Sequence, residues 1–137
     1  MRPRYLLDTD TCIYIAKRKP AHVQMRLAGM SAGAVAMSSI TYGELWYGAT
    51  RSIRSEAAFT ILERLARAAP VLPLDDEAAR HYGEIRAVLE SKGKVIGNND
   101  LWIAAHARAA RLALVTNNER EFSRVPGLAV ENWVRSR

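Results

Sequence analysis

Three acidic residues stand where an apolar segment hands over to a helix-opening pattern. They are Asp8 in Leu6-Leu7-Asp8-Thr9, Glu44 in Ile40-Thr41-Tyr42-Gly43-Glu44-Leu45, and Asp100 in Gly97-Asn98-Asn99-Asp100-Leu101-Trp102. A carboxylate beside an apolar strand is costly to remove from water and needs a partner. Three that converge would share a hard divalent cation. Magnesium or manganese suits them, because such ions keep waters of their own and need only a few carboxylates. A bound dication lowers the pKa of its water, neutralises phosphate charge and orients in-line attack. The chemistry expected is phosphodiester hydrolysis without a covalent enzyme intermediate. Asp8 is the central metal ligand, Asp100 the second, and Glu44 a third ligand or the base that holds the attacking water. Each acid also has a plainer reading: Asp8 as a helix cap, Glu44 as a surface residue of an amphipathic helix, Asp100 as a first-turn acid favoured by the helix dipole.

Other residues stand close to this pattern. Thr116 follows the late apolar run Leu112-Ala113-Leu114-Val115 and can donate a hydrogen bond to a ligand carboxylate or to a phosphate. Asn118 or Glu121 can complete the site through a water, or serve only as turn chemistry. Arg51, Arg54, Lys92 and Lys94 lie near loops that can flank a cleft, where they would contact a phosphate backbone without reading sequence. Asp10 faces solvent or caps the first helix. His22, His81 and His106 show no metal-ligand spacing and are read as structural. Cys12 has no Cys or His companion for zinc and is expected to be a small buried residue. Tyr42, Trp46 and Tyr47 face either the core or a partner, with the core preferred. No Gly-rich phosphate loop is present.

These residues need elements to place them. Tyr5-Leu6-Leu7 reads as a short buried strand. Thr9 or Thr11 caps a helix that Pro20 stops, and 21–30 is a second helical piece. Residues 35–38 form a strand, and Thr41 opens a helix to about Gly48. A longer helix runs from Ser55 to Pro70, with Phe59, Leu62 and Leu65 on one face. Residues 71–74 form a strand that Pro73 places at a sheet edge. Asp75 or Asp76 caps a helix that Gly93 ends, and Asn98 or Asn99 caps the helix bearing Asp100. A strand at 112–116, a polar turn at 117–122 and a last strand near 128–130 follow. Alternating strands and helices predict an α/β fold, a mostly parallel central sheet in a three-layer α/β/α arrangement. Ligands gather at the carboxyl ends of such strands, where all three acids fall.

The chain has 137 residues, enough for one domain (1–137) with a real core. Its 20 Lys and Arg against 14 Asp and Glu leave a net charge of +6, which favours an anionic partner, nucleic acid first. A single cysteine excludes an intramolecular disulfide and fits a reducing compartment. The apolar stretch before Asp8 is too short for a signal peptide, and no run approaches a membrane span. The expectation is a soluble, cytoplasmic protein with no membrane partner.

Leu6-Leu7-Asp8-Thr9, Ser38 through Gly48, and Gly97 through Ala107 resemble three motifs of VapC-type PIN-domain toxins. Val115 through Phe122 with Glu131-Asn132-Trp133 resembles the fourth. The match runs in order over nearly the whole chain. The resemblance implies a magnesium- or manganese-dependent endoribonuclease that inhibits translation, a cognate VapB-type antitoxin and a toxin homodimer. It implies structured RNA as substrate, tRNA or rRNA, with initiator tRNA as the specific candidate. Asp8 and Asp100 match the family's metal ligands, and Glu44 its third acid. Two positions depart: Asp10 stands where the pattern commonly has Asn, and Asn118 where many PIN domains have a fourth acid, a role Glu121 or a water then fills.

Two rival readings remain. Asp8-Thr9-Asp10-Thr11 also resembles the first motif of haloacid-dehalogenase-type phosphatases, though the later lysine and acidic pair they need are not in the expected context. A basic RNA- or protein-binding module with structural acids would bind without cutting.

Overall fold

The fold follows from one-residue alternation in very short strands. In the computed structural model, which describes residues 2–135, strand β1 is Tyr5–Leu7. Leu6 and Leu7 are both fully buried yet belong to different cores, because successive strand side chains point to opposite faces. Leu6 packs with Ala36 and Leu114, Leu7 with Val35, Met37 and Val115. Both faces of the sheet are therefore covered, as a parallel sheet requires.

Strands β2 (Val35–Ser38), β3 (Val71–Leu72), β4 (Ala113–Val115) and β5 (Val130–Glu131) complete a sheet of order β3-β2-β1-β4-β5. Every pairing is parallel. The first face is covered by helices α5 (Asp76–Ser91) and α6 (Asn98–Ala110) through Ile85, Leu89, Leu101 and Ile103. The second is covered by α1 (Thr9–Lys17), α2 (Ala21–Ala28) and α4 (Ser55–Ala68) through Cys12, Ile15, Val23 and Leu65. Helix α3 (Ser39–Arg51) straddles the sheet end: Ile40 packs on the first core, Tyr42 and Leu45 on the second. These are the three layers expected. No helix of the described residues is long and apolar enough to cross a membrane.

The register does the positioning. Leu7 lies opposite Met37 on one side and Val115 on the other. Asp8, Ser38 and Thr116, each the next residue, thus emerge level at one end of the sheet. The chain reverses its direction of sheet growth between β1 and β4, which opens a crevice there. The crevice is tied at its base, where the Asp8 amide donates to the Val115 carbonyl at 3.0 Å and the Thr11 hydroxyl donates to the same carbonyl at 3.0 Å.

Several boundaries differ from the expectations. Asp8, not Thr9 or Thr11, caps α1, its carboxylate accepting from the Thr11 amide at 2.8 Å. Helix α3 starts two residues before Thr41 because Ser38 caps it, and it runs on to Arg51. Neither Asn98 nor Asn99 caps α6; Gly97 is the cap, without a side-chain bond. Both asparagines are engaged elsewhere, Asn98 accepting from the Tyr82 hydroxyl and Asn99 donating to Glu44. The polar turn contains a four-residue helix, α7 (Glu119–Phe122), anchored by buried Phe122. Trp46 and Tyr47 are 50% and 62% exposed, not core: Trp46 lies against Tyr42 and Phe59 at the rim, and Tyr47 lies beside the Arg51 guanidinium. Tyr42 is partly buried against the second core. Cys12 is buried, as expected.

Candidate metal centre

Four carboxylates from four segments gather over this crevice. Asp8 comes from the end of β1, Glu44 from the second turn of α3, Asp100 from the first turn of α6 and Glu121 from α7. Their nearness shows in one carboxyl. Asp100 is pushed up to about 7 by burial, by a hydrogen bond shared with Glu121, and by the charges of Glu121, Asp8 and Glu44. An acid this perturbed in a crevice marks a functional-site candidate.

Each of the other acids is turned toward a local donor. Asp8 is 4% exposed, and burial raises its pKa. Hydrogen bonds from Thr116 and Thr11 pull it back down, while the Asp10 charge adds to the rise. Glu44 is held on both oxygens: the Thr9 hydroxyl, 3.2 Å from Thr41 Oγ1, bonds Oε1, and Asn99 Nδ2 reaches Oε2 at 3.2 Å. Glu121 accepts from Asn118 Nδ2 at 3.2 Å through Oε2. Its Oε1 is buried and has no partner outside the contact with Asp100. The Asn118 amide in turn bonds Thr116 Oγ1 at 2.9 Å, which fixes the threonine that faces Asp8.

Among the described residues, no three acids, histidines or cysteines yet surround one point as a coordination shell would. The charge coupling at Asp100 and this lack of convergence are two sides of one condition. The like charges raise one another's cost, and Asp8 and Glu44 are turned to N–H and O–H donors while Asp100 and Glu121 meet each other. The donor set nevertheless fits a hard dication: it is all oxygen, with neither imidazole nor thiolate, and it contains a buried carboxylate oxygen short of partners.

The remaining candidates lie away from this cluster or on its rim. Arg51 ends α3, bonded to the Tyr47 hydroxyl at 2.8 Å. Arg54, Lys92 and Lys94 are exposed at the start of α4 and in the α5–α6 connection. Among the described residues none of the four pairs with an acid of the crevice. Asp10 is exposed. His22 bonds the Val134 carbonyl, and His81 accepts from Arg108 Nε at 2.8 Å. Sequence reasoning did not find the Thr9 and Asn99 grips on Glu44. They join residues 35 and 55 positions apart, so no local spacing announces them.

A PIN-domain family model matches residues 5–128, and the chain belongs to the PIN-domain family. It is 44% identical over 131 residues to Ribonuclease VapC2 of Haemophilus influenzae, covering 96% of this chain and 98% of that protein. It is 42% identical over 130 residues to a Salmonella typhimurium protein named tRNA(fMet)-specific endonuclease VapC, covering 95% and 98%. Its fold is similar to the crystal structure of DNA-bound VapBC from Salmonella typhimurium, with a TM-score of 0.91 at 42% identity and coverage of 97% and 99%. Within the PIN family, then, this chain is a VapC-type ribonuclease, the toxin component of a type II toxin–antitoxin system. That membership displaces the dehalogenase-type phosphatase reading and the non-catalytic one.

Proposed function

We propose that residues 1–137 act as one nuclease domain that cuts tRNA, initiator tRNA first, using Mg2+ or Mn2+ held by Asp8, Asp100 and Glu44 with Glu121 as the fourth acid. The observation that carries this is the placing of four acids from four segments in one crevice, where burial first and then Glu121, Asp8 and Glu44 push the Asp100 carboxyl toward neutrality. PIN-domain ribonucleases are metal-dependent as a class, and an all-oxygen set favours these two ions. A relative named for tRNA(fMet) supports the substrate.

When bound, the dication supplies charge neutralisation at the phosphate and a more acidic water. The chain's own residues do the rest. Thr11 and Thr116 hold the Asp8 carboxylate in place. Asp100 gives up its proton on loading. Thr9 and Asn99 aim Glu44, which takes a proton from the attacking water as the new oxygen–phosphorus bond forms and the bond to the leaving ribose oxygen breaks. Thr116, together with the exposed cations Arg51, Arg54, Lys92 and Lys94, contacts phosphates of the RNA, adding affinity without base reading.

The chain works as a homodimer and is held inactive by a VapB-type antitoxin, a pairing supported by the VapBC complexes among its structural neighbours. The test uses purified protein, total tRNA and Mg2+, with EDTA as control. Asp8→Asn keeps the cap acceptor for Thr11 and so keeps the fold, while cleavage disappears. Full cleavage by that variant, or by wild type in EDTA, refutes the assignment.

A further inference from the structure

His106 lies six residues along α6 from Asp100, about 9 Å at 1.5 Å per residue, and touches none of the four acids. It is 4% exposed, and its Nδ1 is 2.8 Å from the Oγ of Ser38, which is fully buried. Ser38 is the N-cap of α3, its Oγ accepting the Ile40 amide at 3.1 Å. The Ser38 hydroxyl accepts the Ile40 amide and keeps both a proton and a second lone pair for Nδ1, so the bond forms with either neutral tautomer of the ring. The next residue, Ser39, accepts the Leu74 amide at 3.2 Å and moors the same turn to the connection before α5. Burial lowers the His106 pKa and keeps the ring neutral, against the opposing pull of Asp75 at the cap of α5. Asp75 and Glu77 line the same hollow as His106, and no cation lines it with them.

Two carboxylates that need a common spacing ride on different helices, Glu44 on α3 and Asp100 on α6. Helices α3 and α6 touch, and two polar contacts join them: the exposed Asn99–Glu44 bond and the buried Ser38–His106 bond at the cap of α3. A leucine would fill a space beside the core at less cost than a buried imidazole, so packing alone does not account for this pair. We propose that His106 is a positioning residue of the acidic crevice: through the Ser38 hydroxyl it sets the register of α3 against α6, and thereby the separation of Glu44 and Asp100, the two acids on those helices that would help hold a dication. The inference rests on the metal-centre reading above.

The experiment uses the full chain and Mn2+ alone, with free Mn2+ followed by electron paramagnetic resonance, and in parallel kcat and KM for cleavage of total tRNA. Partners that orient metal ligands are worth about 10–100-fold in affinity or activity. His106→Leu and Ser38→Ala should each weaken Mn2+ binding by about tenfold or more and lower kcat with KM little changed. The double variant should be no worse than either single one, because both remove the same link. His106→Asn, whose side-chain amide can accept from Ser38 or donate to it, should recover most of both. Ser38→Ala serves alone if His106→Leu does not fold. Wild-type Mn2+ affinity in a folded Ser38→Ala overturns the proposal, as does a double variant whose losses multiply. Asp8→Asn separates the two layers: if it binds Mn2+ as wild type does, the metal-centre reading itself has failed.

Discussion

Replacing Asp100 by Asn should make the metal-free protein more stable while destroying its activity. The folded carboxyl titrates near 7 against an ordinary 3.8, because burial and the charges of Glu121, Asp8 and Glu44 disfavour the anion. The unfolded chain ionises at the lower value, so folding stability is full below pH 3.8, declines as pH rises and levels off above about 7. At 1.36 kcal/mol per pH unit, the ceiling on the loss is about 4 kcal/mol. Asp100 is only half withdrawn from water, and solvent screening reduces this to about 1–2 kcal/mol. Asn is isosteric, carries no charge, and its amide can donate to Glu121. In EDTA at pH 8, Asp100→Asn should therefore raise Tm by about 3–8 °C, with a smaller gain at pH 5. Adding Mn2+ should reverse the order, since a ligand at a hundred times its Kd stabilises the wild type by about 2.7 kcal/mol and the variant much less. Thermal unfolding by circular dichroism reads all three conditions for both proteins. An Asp100→Asn protein that melts at or below wild type in EDTA at pH 8 refutes the claim that these carboxylates repel one another in the metal-stripped protein.

Thr9→Val removes the hydroxyl that grips Glu44 at little cost in volume, and should lower kcat by about 10–100-fold while the melting curve moves by little, measured on total tRNA. Changing Arg51, Arg54, Lys92 and Lys94 together to Gln should flatten the dependence of RNA affinity on salt, each lost phosphate contact reducing the log–log slope by about 0.7 to 0.9; an unchanged slope in filter binding would remove them from the RNA track. Leu6→Ala empties the centre of the first core and should destabilise the protein by about 2–5 kcal/mol in urea unfolding.

The sheet was legible because its strands are buried on both sides and read as short apolar runs between helix caps. Leu6-Leu7 and Leu114-Val115 carry that signal, and the level register that follows from it brings the three first-named acids to one end. The side-chain cap at Asp75 was legible, whereas Ser38 was read as the end of a strand although its side chain opens α3, and Gly97 caps α6 with no side chain to announce it. A four-residue helix has too few turns to show periodicity, so α7 looked like a turn, and the place of Glu121 beside Asp100 was left open between itself and Asn118. Trp46 and Tyr47 were misassigned for another reason: hydrophobic character states what a side chain prefers, while exposure depends on which flank of α3 the rest of the chain covers. The grips on Glu44 by Thr9 and Asn99 depend on how three helices meet, and no window of sequence contains that.

The order of strands across the sheet has a consequence for the toxin's own synthesis. The second neighbour of β1 is β4, 108 residues downstream, and the amide of Asp8 finds its acceptor only in Val115. Until that segment has left the ribosome, β1 has one bare edge, and neither Thr116 nor Glu121 can fold beside Asp8 and Asp100. A nascent chain that stops short of β4 therefore lacks the acceptor that ties the crevice at its base, and the four acids meet only after the segment through Glu121 is free to fold.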